Sequence, residues 1–366
     1  MKKILFISNT ANFSKFNRPF MRWFKAQGWQ VDYCSPGEEN VLDCDKQFSI
    51  SIARSPFSLR NFKALKELKQ ILNKNEYDIL HCHTPMGAVI GRLAAKKLWK
   101  RGKIKVIYTA HGFHFYKGAP LLNWFLYYPM EKWLSQYEDT LVTINNEDFE
   151  RTKSWGRTYK IDGVGVNLSR FHSVPLEEKE QLRKELGYST DDFIITIVAE
   201  LNKNKNQIML VRNLLELQDK ILSLKVLLIG KESLPIVRNY VEQNKLDNSV
   251  QFLGYRNDVD KLTMISDIAF SASLREGLPV NIIEAMACGI PVVCSNNRGH
   301  RSLIKNGETG FIFNPKSDKQ MINAIFELYN NQELRKKMIE RNIEEAKKYS
   351  IDIAISKMAD IYKELM

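Results

Sequence analysis

The feature that most constrains the fold is an alternation of short apolar runs with helix-like segments, present in both halves of the chain. The apolar runs are rich in β-branched and aromatic residues, which is typical of buried strands. In the first half they span 4–8, 30–35, 79–83, 106–111 and 141–144. In the second half they span 193–198, 225–229, 250–253, 268–270 and 290–294. The alternation predicts βαβ units and parallel sheets.

Length and local composition divide the chain. The 366 residues exceed one ordinary domain, and an apolar content of 44% is enough for two cores. Gly163, Gly165 and Pro175 mark irregular backbone, so 161–175 is the predicted linker. We therefore expect an N-terminal domain over 1–165, a C-terminal domain over 166–345 and a C-terminal helix within 346–366.

Several classes of protein are disfavoured. No run of about 18 apolar residues occurs, so no transmembrane helix is expected. The first apolar run is too short for a signal peptide and lacks a cleavage site, so it is interpreted as a strand. The five cysteines are scattered and form no C-x-x-C pair, which indicates a reducing compartment without disulfides or a zinc site.

Positive charge is concentrated in the N-terminal half. Residues 1–170 hold 27 Lys and Arg against 15 Asp and Glu, whereas 171–366 hold 27 of each kind. A solvated basic surface explains this without any partner. An anionic membrane or a nucleic acid would also complement it.

The segment 271–295 predicts the main chemistry. It reads as a glycine-containing loop, a helix over 281–287, a turn at Gly289 and a buried strand. Pro279 suits the first helical position. Free amides at a helix start favour phosphate, and carboxylates accept hydrogen bonds from sugar hydroxyls. Glu276 lies just before the helix and Glu284 lies within it, so one segment could hold a diphosphate and two sugars.

This segment resembles the family 4 retaining glycosyltransferases of the GT-B fold. Glu276 and Glu284 match their E-x7-E signature, and the surrounding residues strengthen the match: EGLPVNIIEAMACGIPVV. The resemblance covers the chain and is strongest over 190–315. It implies two doubly wound Rossmann-like α/β domains that face a cleft, with the nucleotide-sugar donor in the C-terminal domain. It also implies that the C-terminal helix crosses back to the N-terminal domain.

Residue roles follow from the resemblance. Glu276, Lys205 and His111 would be the catalytic residues, and Glu284 would hold the ribose. Where relatives carry an arginine before that lysine, this chain has Glu200, and the candidate cations that would compensate are Lys203 and Arg275. The remaining nucleotide-sugar contacts implied are Asn9, Lys203, Gly230, Arg256, Gly277, Leu278 and Pro279.

Two aromatic segments allow more than one interpretation. Basic and aromatic residues interleave over 15–25, where a half-buried helix and a membrane-surface helix are both open. The segment 119–134 is the most aromatic of the chain, and we expect most of it to be core. Its alternative is a surface for a lipid-linked acceptor. The Asp43-Cys44-Asp45 triplet imitates a metal motif, but it lies in the wrong half, and no metal or other cofactor is expected.

The sequence thus predicts a retaining glycosyltransferase that transfers a sugar from a nucleotide sugar. The resemblance to the family implies that the nucleotide is UDP. The acceptor implied by the resemblance to capsule and exopolysaccharide enzymes is a polyprenyl-diphosphate-linked glycan. The protein would be cytoplasmic and peripheral on the inner membrane face, and would not bind nucleic acid. Two alternatives stay open: a nucleotide-sugar 2-epimerase of the same architecture and a non-catalytic nucleotide-binding module.

Overall fold

A computed structural model describes residues 1–366. The chain divides into two compact units. The first unit comprises Met1–Gly165 together with Ile351–Met366, and the second comprises Val166–Ser350. The linker expected over 161–175 therefore contains the point of division. Residues 346–350, which were expected to join the terminal helix, belong to the second unit.

The first unit is built on a seven-stranded sheet in which every pairing is parallel. Its strands are β1 (Lys3–Ile7), β2 (Gln30–Ser35), β3 (Lys46–Ser49), β4 (Ile79–His83), β5 (Lys105–Ala110), β6 (Thr140–Thr143) and β7 (Thr158–Lys160). Their order across the sheet is β3-β2-β1-β4-β5-β6-β7. The direction of winding therefore reverses between β1 and β4, which makes the unit doubly wound.

Five helices follow in the connections of this unit. They are α1 (Ser14–Ala26), α2 (Arg60–Asn75), α3 (Pro85–Lys100), α4 (Leu121–Leu134) and α5 (Asn146–Thr152). Side chains of α2 and α3 share one core with one face of the central strands. The approach of α3 to β4 requires a glycine, because a Cβ on Gly91 would lie 2.4 Å from Cys82 Sγ.

The second unit repeats the plan with six parallel strands. They are β8 (Phe193–Val198), β9 (Leu224–Ile229), β10 (Val250–Gly254), β11 (Ile268–Ser271), β12 (Val292–Ser295) and β13 (Gly310–Phe313). The order across the sheet is β10-β9-β8-β11-β12-β13, so winding reverses between β8 and β11.

Helices cover both faces of the second sheet, since its strands contribute to separate cores. They are α6 (Leu176–Glu185), α7 (Ile208–Val211), α8 (Leu214–Gln218), α9 (Ile236–Gln243), α10 (Val259–Met264), α11 (Val280–Ala287), α12 (Arg298–Leu303), α13 (Asp318–Asn330) and α14 (Gln332–Lys347). Both units are thus doubly wound α/β domains.

The last helix, α15 (Ile351–Lys363), belongs to the first unit. It packs on α1, where the Tyr362 ring lies 4.6 Å from Phe24 and 5.6 Å from Trp23, measured between ring centroids. The terminal segment therefore completes the fold of the first unit.

The basic and aromatic segment 15–25 forms α1, and its apolar side is buried. Phe20, Met21 and Phe24 are within the core. Arg18 and Arg22 form ion pairs with Asp43, and Lys25 forms one with Asp45. The half-buried helix explains this segment, and the acidic triplet that imitates a metal motif supplies the counter-charges.

The expectation that 119–134 is mostly core is wrong. Within α4 only Glu131 and Leu134 are buried. Glu131 and Glu138 pair with the buried Arg92 at 2.6 and 3.1 Å. Because α4 turns a carboxylate inward to meet Arg92, much of its apolar surface faces outward. No helix in the structure has the length and apolar character needed to cross a membrane.

Candidate functional site

The site predicted in the second unit lies where the winding of its sheet reverses. The loops after β8 and β11 leave the carboxyl ends of adjacent strands, the position at which doubly wound sheets bind ligands. Two hydrogen bonds tie the loops together. The Leu274 N–H donates to the Asn204 carbonyl at 2.8 Å, and Asn204 Nδ2 donates to the Arg275 carbonyl at 3.1 Å.

An ion pair between these loops brings two predicted catalytic residues together. Lys205 Nζ lies 2.5 Å from Glu276 Oε1, and the two side chains are 24% and 13% exposed. The backbone N–H of Lys205 donates to Asn202 Oδ1 at 3.0 Å, which fixes the turn that presents the lysine. A half-buried ammonium group and carboxylate can therefore offer donors and acceptors to one ligand.

Helix α12 packs against Glu276, a contact that the sequence alone did not predict. A Cβ on Gly299 would lie 2.7 Å from the Cβ of Glu276, so only glycine allows this contact. Arg298 is buried and its Nε donates to the Glu276 carbonyl at 3.3 Å. The signal that could have identified them is a cluster of polar residues directly after a buried strand.

The end of β12 is anchored to the same loop. Ser295 Oγ and Asn297 Nδ2 both donate to the Ser273 carbonyl, at 2.6 and 2.7 Å. His300 Nδ1 lies 2.6 Å from the Ser295 carbonyl, which it meets as an N–H donor. Burial lowers the pKa of His300 to about 4, so the ring is neutral near pH 7. This network holds the loop that carries Glu276.

Helix α11 begins one residue earlier than expected. Pro279 has extended backbone and is the N-cap, not the first helical residue, and its carbonyl accepts from the Ile282 N–H at 3.1 Å. The helix itself offers no carbonyl to the N–H groups of Val280 and Asn281, the first two residues of the helix. Gly277 and Leu278 precede it in the loop, and Glu284 lies half-buried within it.

The residues predicted to line the nucleotide lie at the ends of neighbouring strands. Gly230 follows β9 with φ +152°, and a Cβ there would lie 2.1 Å from the Ala199 carbonyl oxygen. Its N–H donates to the Gly254 carbonyl at 2.8 Å. Arg256 follows β10, and its guanidinium forms two hydrogen bonds to Asp258 at 2.8 and 2.6 Å.

The other residues considered for the predicted diphosphate clamp are more exposed than the ion pair. Lys203 is exposed. Glu200 is exposed, and its carboxylate accepts a hydrogen bond from the Ser233 hydroxyl. Arg275 is also exposed, whereas the buried Arg298 contacts the Glu276 backbone. Arg298 is therefore a buried cation in contact with the loop that carries Glu276.

In the first unit, histidines line the carboxyl ends of β4 and β5. His83 Nδ1 lies 3.1 Å from Nε2 of His111. His81 lies two residues before His83 on β4 and bridges Thr109 Oγ1 at 2.8 Å and the hydroxyl of Tyr362 at 2.9 Å. This series of contacts therefore reaches α15, and both ring nitrogens of His81 have hydrogen-bond partners.

Burial and aromatic contacts keep these histidines neutral. Phe13 meets the His111 ring edge-on, at 4.7 Å between centroids. Burial lowers the pKa of His111 to about 4 and that of His81 to about 3. Burial and the two neighbouring rings lower the pKa of His83 well below its usual value. A neutral His111 can present one ring nitrogen as a donor or acceptor.

Asn9 follows β1 at the point where the first sheet reverses. It is half-buried, and its backbone N–H donates to Thr84 Oγ1 at 2.9 Å, so the loop after β1 is joined to the loop after β4. No group of three or more His, Cys, Asp or Glu residues is arranged to hold a metal ion.

Comparison with known proteins identifies the family. Residues 178–345 match the family model described as "Glycosyl transferases group 1", and residues 3–146 match the one described as "Glycosyl transferase 4-like". The EpsD protein of Bacillus subtilis (strain 168), whose name assigns it provisionally to the glycosyltransferases, is 42% identical over 371 residues. That alignment covers 100% of this chain and 97% of the relative. The chain belongs to the group 1 glycosyltransferases. The prediction of a glycosyltransferase is therefore confirmed.

More distant members of the family carry specific names. An Escherichia coli UDP-Gal:alpha-D-GlcNAc-diphosphoundecaprenol alpha-1,3-galactosyltransferase is 26% identical, over 87% of this chain and 84% of the relative. A Campylobacter jejuni N,N'-diacetylbacillosaminyl-diphospho-undecaprenol alpha-1,3-N-acetylgalactosaminyltransferase is 24% identical, over 100% and 99% of the two chains.

Solved structures confirm the fold class. The crystal structure of Anabaena Alr3699/HepE in complex with UDP and glucose matches with a TM-score of 0.80 at 17% identity, over 100% of both chains. At that identity the match establishes the fold, which is the GT-B class predicted from the sequence.

Proposed function

We propose that this glycosyltransferase moves a hexose or N-acetylhexosamine from a UDP-sugar to a polyprenyl-diphosphate-linked glycan in cell-surface polysaccharide synthesis. Two observations support the choice of substrates. Family relatives are named for undecaprenol-linked acceptors, and one of them is named for UDP-Gal. The observation that carries the proposal is the Lys205–Glu276 pair at the reversal point of a nucleotide-binding type of sheet.

The chemistry proposed is electrostatic. The bond from the anomeric carbon to the diphosphate oxygen breaks, and the developing charge is stabilised by Lys205 and the first-turn amides of α11. Pro279 contributes no N–H. The acceptor hydroxyl attacks from the same face, and its proton passes to the leaving phosphate. No protein nucleophile is needed, and the configuration is retained.

Other residues would position the donor. Glu276 would accept hydrogen bonds from sugar hydroxyls and fix the ring, and Glu284 would accept them from the ribose. His111 would contact the donor sugar as a neutral imidazole. Further donor contacts would come from the loops at the carboxyl ends of the strands, through Asn9, Lys203, Gly230, Arg256, Gly277 and Leu278.

We propose that Arg298 takes over the role of the arginine that relatives carry where this chain has Glu200. Its guanidinium is held beside Glu276 by the bond to the Glu276 carbonyl. A buried guanidinium can offset part of the diphosphate charge, and it does so without a metal ion. We therefore propose metal-independent transfer in which Lys205 and Arg298 share the role of the usual lysine and arginine.

We also propose that the enzyme works as a peripheral protein on the cytoplasmic membrane face, where lipid-linked acceptors are available. The first unit holds 28 Lys and Arg against 18 Asp and Glu, whereas the second holds 26 against 24. An excess of cations favours an anionic leaflet.

The proposal is tested with purified protein, a panel of UDP- and GDP-sugars and a polyprenyl-diphosphate-linked acceptor, with and without EDTA. We expect one UDP-sugar to yield a glycolipid whose new anomeric proton, observed by NMR, shows the donor's configuration, with equal yield in EDTA. Inversion, or loss of activity in EDTA, would refute the mechanism. An altered free sugar formed without acceptor would show an epimerase instead.

A further inference from the structure

Helix α4 exposes a continuous apolar stripe. Its members are Leu121, Leu122, Phe125 and Leu126, which are 45–77% exposed, and Trp133, which is 46% exposed. At about 100° per residue they fall within an arc of roughly 140° on one side of the helix. From Leu121 to Trp133 the stripe is about 18 Å long. Isolated exposed apolar residues are ordinary, but a stripe of this length indicates an interaction surface.

The stripe is firmly held, so its exposure is not the result of a loosely attached helix. The opposite side of α4 carries Glu131, which forms a buried ion pair with Arg92 at 2.6 Å. At the start of α4, Asn123 Nδ2 donates to the His114 carbonyl at 3.1 Å, and the Tyr127 ring stacks on His114 at 4.8 Å. The same contacts connect the stripe to the loop that begins at His111.

The exposed charge of α3 and α4 has one sign. Glu131 is the only acidic residue in α3 and α4 together, and it is buried and paired. The exposed charges of these helices are lysines. Lys96 Nζ lies 5.5 Å from the ring centroid of Trp133, and Lys132 is exposed beside the end of the stripe. An apolar stripe on two helices that expose lysines and no carboxylate complements an anionic lipid surface.

We propose that α4 inserts this stripe into the acyl region of an anionic lipid leaflet, with Lys96, Lys97, Lys100 and Lys132 on the headgroup phosphates. This inference rests on the proposed function, because a lipid-linked acceptor explains why a transferase meets a leaflet. It adds a specific surface and a mode of binding. Trp133 suits the boundary between acyl chains and headgroups, where tryptophan rings are favoured.

A second copy of the chain fits this surface less well. In a symmetric dimer the same patch meets itself. The lysines of one stripe would then face those of the other, without exposed carboxylates in α3 or α4 to pair with them. A leaflet supplies the apolar interior and the negative charge together.

Insertion differs measurably from electrostatic attraction. Salt screens the lysine contacts, but it does not weaken the transfer of apolar side chains into lipid. We therefore expect vesicle binding that falls with salt to a residual level and does not vanish. Each Leu or Phe that leaves water contributes roughly a ten-fold or greater change in partitioning.

The first experiment places an environment-sensitive fluorophore on the stripe. Four of the five native cysteines are buried and Cys44 is half-buried, so a Cys44→Ser background permits selective labelling of Phe125→Cys. Leu222→Cys is the matched control, because Leu222 is 80% exposed in the second unit. With vesicles of phosphatidylcholine and phosphatidylglycerol, we expect a blue shift and quenching by acyl-chain-brominated lipid at position 125 only. Equal responses at both positions, or none at 125, would overturn the proposal.

The second experiment measures flotation of the unlabelled protein at low and high salt. Leu121→Gln/Phe125→Gln is expected to lose binding at least about ten-fold and to abolish the salt-resistant fraction. Leu215→Gln/Leu222→Gln is the control and should bind as wild type. Sedimentation is run in parallel, and a dimer that this α4 variant dissociates would show that a second copy covers the stripe.

Transfer to a short-chain, water-soluble acceptor analogue separates the two proposals. If the Leu121→Gln/Phe125→Gln variant keeps wild-type turnover on that analogue and loses flotation, the stripe acts in membrane binding. If wild type turns over the analogue but does not float, the surface proposal fails and the transferase stands. If wild type floats with vesicles, the α4 variant does not, and wild type transfers sugar to no acceptor, the proposed function fails instead.

Discussion

Lys205 and Glu276 form a 2.5 Å ion pair between loops that lie 71 residues apart in the sequence. Both loops leave adjacent strands at the point where the sheet reverses its winding. The two side chains satisfy each other in this structure, which keeps both charged groups compatible with partial burial. A ligand that brings hydroxyls to the carboxylate and phosphate to the ammonium group would replace one set of contacts with another.

Removing either member of this pair should impair turnover strongly. For Glu276→Gln and Lys205→Ala we expect kcat to fall at least about 100-fold, because each contact would stabilise charge or position in the transition state. Steady-state kinetics with the UDP-sugar that the panel identifies as donor measures this. The control is Lys184→Ala, an exposed lysine of α6. Turnover within a few-fold of wild type in either site variant would contradict the assigned roles.

Gly299→Ala should lower the turnover of the folded enzyme. The new Cβ would lie 2.7 Å from that of Glu276 and 3.0 Å from backbone atoms of Glu276 and Gly277, so the Glu276 loop must shift. We expect turnover to drop about ten-fold or more, since small misplacements of positioning groups are costly. Stability should fall as well, because overpacking costs about 1–3 kcal/mol, of which the higher helix propensity of alanine offsets about 1 kcal/mol. Kinetics and thermal unfolding measured together test this, with Ser302→Ala in the same helix as control. A variant that unfolds without loss of turnover per folded molecule would argue against the positioning role.

Tyr362→Phe should destabilise the first unit. The substitution leaves His81 Nδ1 buried without its 2.9 Å partner, at a cost of about 1–3 kcal/mol. Tyr159→Phe is a matched control, because Tyr159 also bonds to the C-terminal segment, through Glu364 directly after α15, but at an exposed site. Denaturant unfolding monitored by a probe in the first unit compares them. Equal effects of the two substitutions would show that the buried histidine contact contributes nothing special.

Stability should decline as the pH falls from about 6.5 towards 4. The folded-state pKa values of His81, His111 and His300 are lowered to about 3, 4 and 4, so the unfolded chain binds more protons in this range. Stability that depends on neutral histidine is present above the unfolded pKa and is lost below it. At pH 5, each of these histidines is expected to have lowered the free energy of unfolding by about 2 kcal/mol relative to neutral pH. Thermal unfolding across pH 4–8 measures the slope, and His81→Gln should reduce it. A slope unaffected by that substitution would contradict the account.

The sequence predicted the central strands and the segment after β11 well, because their signals are local. Strands β2, β4 and β8 have the predicted bounds, since each is almost entirely buried and rich in apolar, aromatic or β-branched residues. Strands β3 and β7 were not predicted. Their residues are only partly buried, so these edge strands lack a continuous apolar run.

What the sequence could not predict depends on contacts between distant residues. The outward stripe of α4 results from the buried pair between Glu131 and Arg92, which are 39 residues apart. The place of Gly299 behind Glu276 requires the packing of α12 against a loop of another strand. Burial of the histidines likewise depends on Phe6, Phe13 and Tyr362, which lie far from them in the sequence and which no spacing rule reports.

The most direct test of the central claim is acceptor-dependent release of UDP by wild type and by Glu276→Gln, with the glycolipid product weighed by mass spectrometry. We predict that one UDP-sugar releases UDP only when the polyprenyl-diphosphate acceptor is present, that the lipid gains the mass of one sugar residue, and that Glu276→Gln forms at most about one hundredth as much. UDP release without any gain in lipid mass, or unchanged product from Glu276→Gln, would contradict it.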